Sequence, residues 1–223
     1  MTRIPLSEAG ETPGFFVTLE GGEGAGKSTQ ALLLKEWLEA GGRPTMVTRE
    51  PGGSEQGEAL RNLLITGAAD RWDPISETLL HFAARREHLR ATVRPALAHG
   101  TWVVCDRFAD STMAYQHFGQ GVAAGFIETL YDTVVGADGP TLTLVLDLDP
   151  EVGFARIAAR TGDGVRYEEM DRAFHRRVHE GFRTIAGSAP DRCVVVPADG
   201  DVDTVQARLR AAIEARLGPI ANG

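Results

Sequence analysis

The chain has 223 residues, 43% of them hydrophobic, enough to bury one large core or two small ones. Its formal charge of −8 argues against a nucleic-acid or membrane surface as partner, although a local arginine cluster can still hold a small anion. No apolar run reaches the ~18 residues of a spanning helix, and the N-terminus does not read as a signal peptide. Cys105 and Cys193, both in apolar runs, fit a reducing cytoplasm.

Residues 1–14, with Pro5, Gly10, Pro13 and Gly14, read as an extension outside the fold. An apolar run at 15–19 has strand character, a glycine-rich turn follows, and 29–40 reads as a helix closed by Gly41-Gly42. A short strand at 45–48 runs into Arg49-Glu50-Pro51-Gly52-Gly53, and 57–65 is helical. The pattern predicts one long helix over 75–98 with Ser76 as its N-cap. The strand at 101–105 ends at Asp106, a helix covers 125–135, and the strand at 142–146 ends at Asp147. Pro150 opens a helix to about 160, a glycine- and charge-rich loop follows, and 170–186 is helical. The strand 193–196, the helix 202–217 and a tail at 218–223 complete the chain. Unalternating apolar strands joined by helical crossovers predict a single α/β domain over 15–217. Its doubly wound five-stranded parallel sheet carries helices on both faces and ligands at the strand carboxyl ends.

The turn Gly21-Gly22-Glu23-Gly24-Ala25-Gly26-Lys27-Ser28 reads G-x-x-x-x-G-K-S between the first strand and helix. Backbone N–H groups and the positive helix end converge there, which suits a chain of phosphates. Lys27 is placed to reach the β- and γ-phosphates, and Ser28 to hold Mg²⁺. Lysine is scarce, two against 21 arginines, yet one stands where a compact, flexible charge is wanted. Asp106-Arg107 ends a buried strand at the same sheet edge. Asp106 can hold Mg²⁺ or its waters with Ser28, and Arg107 can neutralise charge between donor and acceptor phosphates. His88, His99, His117, His175 and His179 show no metal-ligand spacing and read as structural.

Further segments stand in order: 19–29 around the phosphate loop, Thr48-Arg49-Glu50-Pro51-Gly52-Gly53, Phe82-Ala83-Ala84-Arg85, and Asp106-Arg107-Phe108 with Ser111 and Ala114-Tyr115-Gln116. Leu146-Asp147 and Pro150-Glu151-Val152-Gly153 follow. Together they resemble bacterial thymidylate kinases, in the nucleoside-monophosphate kinase group of P-loop proteins. The phosphate loop marks only the superfamily; T-R-E-P-G-G and D-R-x-x-x-S-x-x-A-Y-Q are far more specific. The resemblance implies a P-loop kinase core with a lid at about 160–170, and Mg²⁺-dependent phosphoryl transfer from ATP to dTMP for dTTP synthesis. It also implies a homodimer packed through helices.

Residue by residue, the resemblance places the loop 21–28 with Thr29, Arg156 and Arg166 around ATP. Glu23 falls near the acceptor sugar and Arg49, with Arg49 on the acceptor phosphate and Pro51 shaping the turn through a cis peptide. Arg85 donates to the thymine carbonyl, Thr112 and Gln116 contact the base, and Tyr115 lies under the deoxyribose, with Ser111 and Arg107 completing the acceptor site. Relatives stack a phenylalanine on thymine four residues before Arg85. Here that position is His81, so either His81 stacks or a small helix shift brings in Phe82. The loop has no arginine after Gly24-Ala25, so a lid arginine, Arg160 or else Arg166, supplies the cation beside Lys27 and Arg107. A kinase for another nucleotide is the alternative enzyme. A GTP-dependent switch is disfavoured because the chain has no Asn-Lys pair for a guanine-reading motif.

Overall fold

The computed structural model describes residues 14–68, 70–159, 167 and 170–220; nearly all of the expected extension, most of the expected lid and 221–223 lie outside the described residues. Five strands, β1 (Phe16–Glu20), β2 (Thr45–Arg49), β3 (Trp102–Asp106), β4 (Leu142–Asp147) and β5 (Cys193–Pro197), form one parallel sheet in the order β2-β3-β1-β4-β5. Each ends one residue later than its apolar run predicts, because the ladder carries on into the residue that begins the loop, a charged one in β1 to β4 and Pro197 in β5.

Helices cover both faces, as continuous apolar strands require. Val17, Leu19, Val104, Leu142, Leu144 and Leu146 pack under α1 (Lys27–Ala40) and α9 (Val202–Leu217) through Leu34, Leu38, Leu209 and Ile213. On the opposite face Phe16, Val103 and Cys105 meet Leu89, Val93 and Phe108, while Val145 and Cys193 meet Phe174, Val178 and Phe182 of α8 (Arg172–Ser188). Cys105 and Cys193 are free, buried thiols. Thr18 and Thr143 make a polar break in the second face, their hydroxyls 2.8 Å apart and joined to Asp110 and Arg192.

The remaining helices are α2 (Glu55–Ile65), α3 (Pro74–His88), α4 (Arg94–Ala98), α5 (Ala109–Thr112), α6 (Ala124–Val134) and α7 (Pro150–Ala158). The single helix expected over 75–98 is instead α3, a π-helical turn at Leu89–Val93, and α4. Pro95 has no N–H to give and its ring crowds the carbonyl one turn back, so the chain widens before it. The cap is Asp73, whose carboxylate accepts the Ser76 N–H at 3.0 Å, rather than Ser76 itself. α5, continued by a π-helical turn at Met113–Gly119, was not expected; Asp, Ser and Thr in its first turn are weak helix formers. Among the described residues no helix is long and apolar enough to cross a membrane.

Strand order fixes where a ligand can sit. α1 leaves β1 toward β2, whereas the connection from β3 crosses to β4 on the other side. The carboxyl ends of adjacent β1 and β3 therefore open a crevice at a topological switch point.

Candidate active site

The loop between β1 and α1 fills one side of that crevice. Gly24 has φ of 71°, and a Cβ there would lie 2.4 Å from the Gly153 carbonyl oxygen of α7, so only glycine fits this turn. Gly153 thereby gains its place, packed against the loop. Lys27 opens α1 with its ammonium folded over the loop, donating to the Gly21 carbonyl at 3.2 Å and the Gly22 carbonyl at 2.7 Å. Burial, then repulsion from Arg107, brings this ammonium down to about 8. Ser28 hydrogen-bonds to the Asp106 carboxylate, bringing together the two oxygen donors that sequence singled out for Mg²⁺.

Across the crevice, Arg107 follows β3. It donates through Nη1 to the Gly21 carbonyl at 2.9 Å and to Ser111 Oγ at 3.2 Å, and through Nη2 to Glu23 at 2.7 Å. Tyr115 donates to the same Glu23 oxygen at 2.8 Å, and the Arg107 guanidinium lies 4.9 Å from its ring centroid. Burial works against the Glu23 charge, but Arg107, then Lys27 and the Tyr115 hydroxyl, hold its carboxyl down to about 2. Burial likewise opposes the Arg107 charge, and Glu23, together with Tyr115, Asp106 and Glu20, more than restores it, raising its pKa. One fixed carboxylate thus organises two fixed cations.

A cavity of about 320 Å³ opens over these groups. Glu23, Gly24, Gly26, Lys27, Ser28 and Thr29 line one end with Asp106 and Arg107. Arg49, Pro51, His81, Arg85, Ser111, Thr112, Tyr115 and Gln116 line the rest, joined by Glu50, Arg61, Phe108 and Tyr167. The Glu50–Pro51 peptide is cis. Arg49 Nη2 donates to both Glu58 oxygens at 3.1 Å from the mouth of the cavity, and Arg61 donates to the Pro51 carbonyl at 2.8 Å.

Arg85 is buried at 2% exposure. Its Nε donates to Glu50 at 2.8 Å and its Nη2 to Thr112 at 3.0 Å, while its buried Nη1 has no hydrogen-bond partner among the described residues. Glu50 also meets His88 Nδ1 at 2.9 Å, and His88 Nε2 meets Thr48 at 2.8 Å, so the base of Arg85 is braced from two elements. Next to it, buried Glu77 accepts from Gln116 at 2.8 Å and from Tyr167 at 2.9 Å, and Tyr167 lies 2.8 Å from His81.

Not every residue singled out in the sequence lines this cavity. Phe82 does not: adjacent helical residues point about 100° apart, so with His81 at the cavity Phe82 turns inward. It packs with Val122 and Ile127, its ring 4.7 Å from the Arg85 guanidinium. Gly21, Gly22 and Ala25 support the loop from behind. Arg156 stands outside the cavity, its Nη2 3.3 Å from the Ala198 carbonyl and 3.4 Å from that of Gly200. Arg160 and Arg166 lie outside the described residues. Sequence reasoning assigned no role to Glu20, Glu50, Arg61, Glu77 and Tyr167; Glu50 stands in T-R-E-P-G-G, Glu20 just before the phosphate loop and Tyr167 in the expected lid, and nothing local marks Arg61 or Glu77.

The sequence model for thymidylate kinase matches residues 19–209. A thymidylate kinase from Caulobacter vibrioides is 52% identical over 207 residues, covering 93% of this chain and 99% of its own. One from Nitrobacter winogradskyi is 47% identical, covering 91% and 89% respectively. The crystal structure of thymidylate kinase from Ehrlichia chaffeensis aligns with a TM-score of 0.72 at 34% identity, over 91% of this chain and 99% of that one. Aligned over more than nine-tenths of its length with proteins of one kind, and built around a phosphate loop facing an arginine-rich pocket, the chain belongs to the thymidylate kinase family.

Proposed function

We propose that the protein transfers the γ-phosphoryl group of ATP to dTMP, giving ADP and dTDP. The observation that carries this is a single cavity with two chemically distinct ends. Lys27 and the loop N–H groups at one end suit the donor triphosphate; the braced Arg85, with an N–H left to give, suits a base carbonyl at the other. An N–H buried without a partner costs about 1–3 kcal/mol, which a pyrimidine carbonyl would recover on binding.

The acceptor needs little chemical help. A phosphate monoester with a second pKa near 6 is largely dianionic at neutral pH and can attack without a general base. Catalysis then consists of in-line positioning and charge stabilisation. Lys27 and Arg107 supply fixed positive charge, and Glu23 and Tyr115 hold Arg107 in place. Arg49 can exchange the Glu58 carboxylate for the acceptor phosphate, with Arg61 beside it. Ser28 and Asp106 fit Mg²⁺, which favours hard oxygen donors and takes one or two from protein and the rest from phosphates and water. When bound, the ion neutralises charge on the β- and γ-phosphates.

His81 and Tyr115 are assigned to the base and deoxyribose, Thr112 and Gln116 to holding Arg85 and the base edge. Arg156 is assigned to the donor nucleoside, and the lid cation to Arg160, with Arg166 as the alternative, on sequence grounds alone. The protein is assigned to the cytoplasm, in keeping with its two free thiols, and to a homodimer; Ile75 and Leu79, exposed one turn apart on α3, support an interface there.

The test is ADP release with a panel of nucleoside monophosphates. The proposal expects dTMP to be turned over best and purine monophosphates at least ~100-fold less efficiently. Best turnover with a purine would overturn it.

A further inference from the structure

Glu20 ends β1 one residue before the phosphate loop, fully buried and outside the cavity. Both of its oxygens serve the turn after β3. Oε1 accepts the Phe108 N–H at 2.7 Å, and Oε2 is hydrogen-bonded to the Ser111 hydroxyl at 2.5 Å. Ser111 Oγ in turn accepts from Arg107 Nη1. Between these anchors Arg107 has φ of 69°, the one left-handed backbone among described residues other than glycine.

An L-residue in that conformation costs about 1–2 kcal/mol and persists only where its surroundings over-determine it. A carboxyl group is itself expensive to bury. Burial, and then the Asp110 carboxylate, push Glu20 up to about 8, so the fold meets a cost here that an apolar side chain would avoid. What the group contributes is the pair of bonds on either side of Arg107.

We infer that Glu20 is a positioning residue, fixing through the Phe108 N–H and the Ser111 hydroxyl the turn that aims Arg107 at the transferring phosphoryl group. The inference rests on the role given to Arg107 above. A misplacement of about 1 Å at such a group costs on the order of 100-fold in rate. Because Glu20 lies outside the cavity, its removal lowers turnover and leaves binding almost unchanged.

The test compares Glu20→Ala, Glu20→Gln, Arg107→Gln and the double variant Glu20→Ala/Arg107→Gln in the full chain. kcat and KM for both nucleotides are measured with dTMP and ATP, normalised to the folded fraction from thermal melts. Glu20→Ala is expected to lower kcat about 30-fold with both KM values within about threefold. Glu20→Gln, which still accepts from Phe108 and can donate to Ser111, stays within about threefold of the parent. The double variant is no slower than Arg107→Gln alone, because both changes disable one device. Should Glu20→Ala not fold, Glu20→Leu removes both oxygens with less loss of volume, and the same outcomes apply. A slow Arg107→Gln beside a Glu20→Ala of parental kcat overturns the inference alone, as does full additivity in the double variant. Arg107→Gln at parental kcat overturns the role of Arg107, and the inference with it.

Discussion

At the scale of single residues, the site is a set of charges held against their own solvation. Lys27 is brought down to about 8 in a buried position that triphosphate oxygens would make favourable. Lys27→Ala removes the charge without touching the sheet. It should fold with a melting temperature near the parent's and lose transfer by about 10³-fold, read as ADP release under saturating nucleotides. Retained transfer would show that the loop works through its backbone alone.

Glu20, just before the loop, and Glu23, within it, respond to pH in opposite ways. Glu23, held at about 2 against an ordinary 4.5, stabilises the fold above pH 4.5, and that contribution is lost as pH falls toward 2. Glu20, raised to about 8, keeps its proton in the fold after the unfolded chain has released it, so its contribution declines as pH rises from 4.5 through 8. The melting temperature of Glu20→Gln relative to the parent should therefore climb between pH 5 and pH 8. A flat difference across that window would contradict the protonation assigned to Glu20.

These residues divide by how they could be read. Lys27, Ser28, Asp106 and Arg107 were legible because their spacing, or their place at a strand end, already expresses the chemistry. Glu20, Glu50 and Glu77 were not, because each is defined by partners far along the chain: Ser111 is 91 residues from Glu20, and Arg85 is 35 from Glu50. A buried acid has no local signature until the topology brings its hydrogen-bond partners to it.

At the scale of elements, the loop after β2 and the end of α3 are bound into one unit. Gly53 has φ of 75°, and a Cβ there would fall 2.5 Å from Thr48 Oγ1 and 2.6 Å from the His88 ring. Gly53→Ala should therefore displace His88 from Glu50, and with it Arg85. The expected result is a several-fold rise in KM for dTMP, with KM for ATP unchanged, together with a lower melting temperature. An unchanged KM for dTMP would mean that Arg85 keeps its place without that brace. Glu50→Ala leaves the Arg85 charge buried without its partner and should cost about 3–5 kcal/mol in chemical denaturation. A loss under 1 kcal/mol would show that Thr112 suffices to hold it.

Element boundaries were legible where one residue type decides them. α9 lies at Val202–Leu217 as expected, with Asp201 accepting the Thr204 N–H. The split of α3 from α4 and the presence of α5 were not legible, since a proline inside an amphipathic run is compatible with either a stop or a widened turn. The sequence pattern likewise gave five parallel strands but no strand order. Crossovers alone leave several orders open, and the order that places β1 beside β3 brings Arg107 to the phosphate loop.

At the scale of the whole molecule, the strand ends, the loop and the arginines converge on one elongated cavity with a phosphate end and a base end. The central claim is that both nucleotides occupy it together, with phosphates meeting between Lys27 and Arg107. The most direct measurement is inhibition by a dinucleoside polyphosphate joining adenosine to thymidine through five phosphates. Linking the two halves makes the second binding event intramolecular. The compound should compete with ATP and with dTMP alike and bind at least ~10-fold tighter than either. Competition with only one of the two nucleotides would contradict the account.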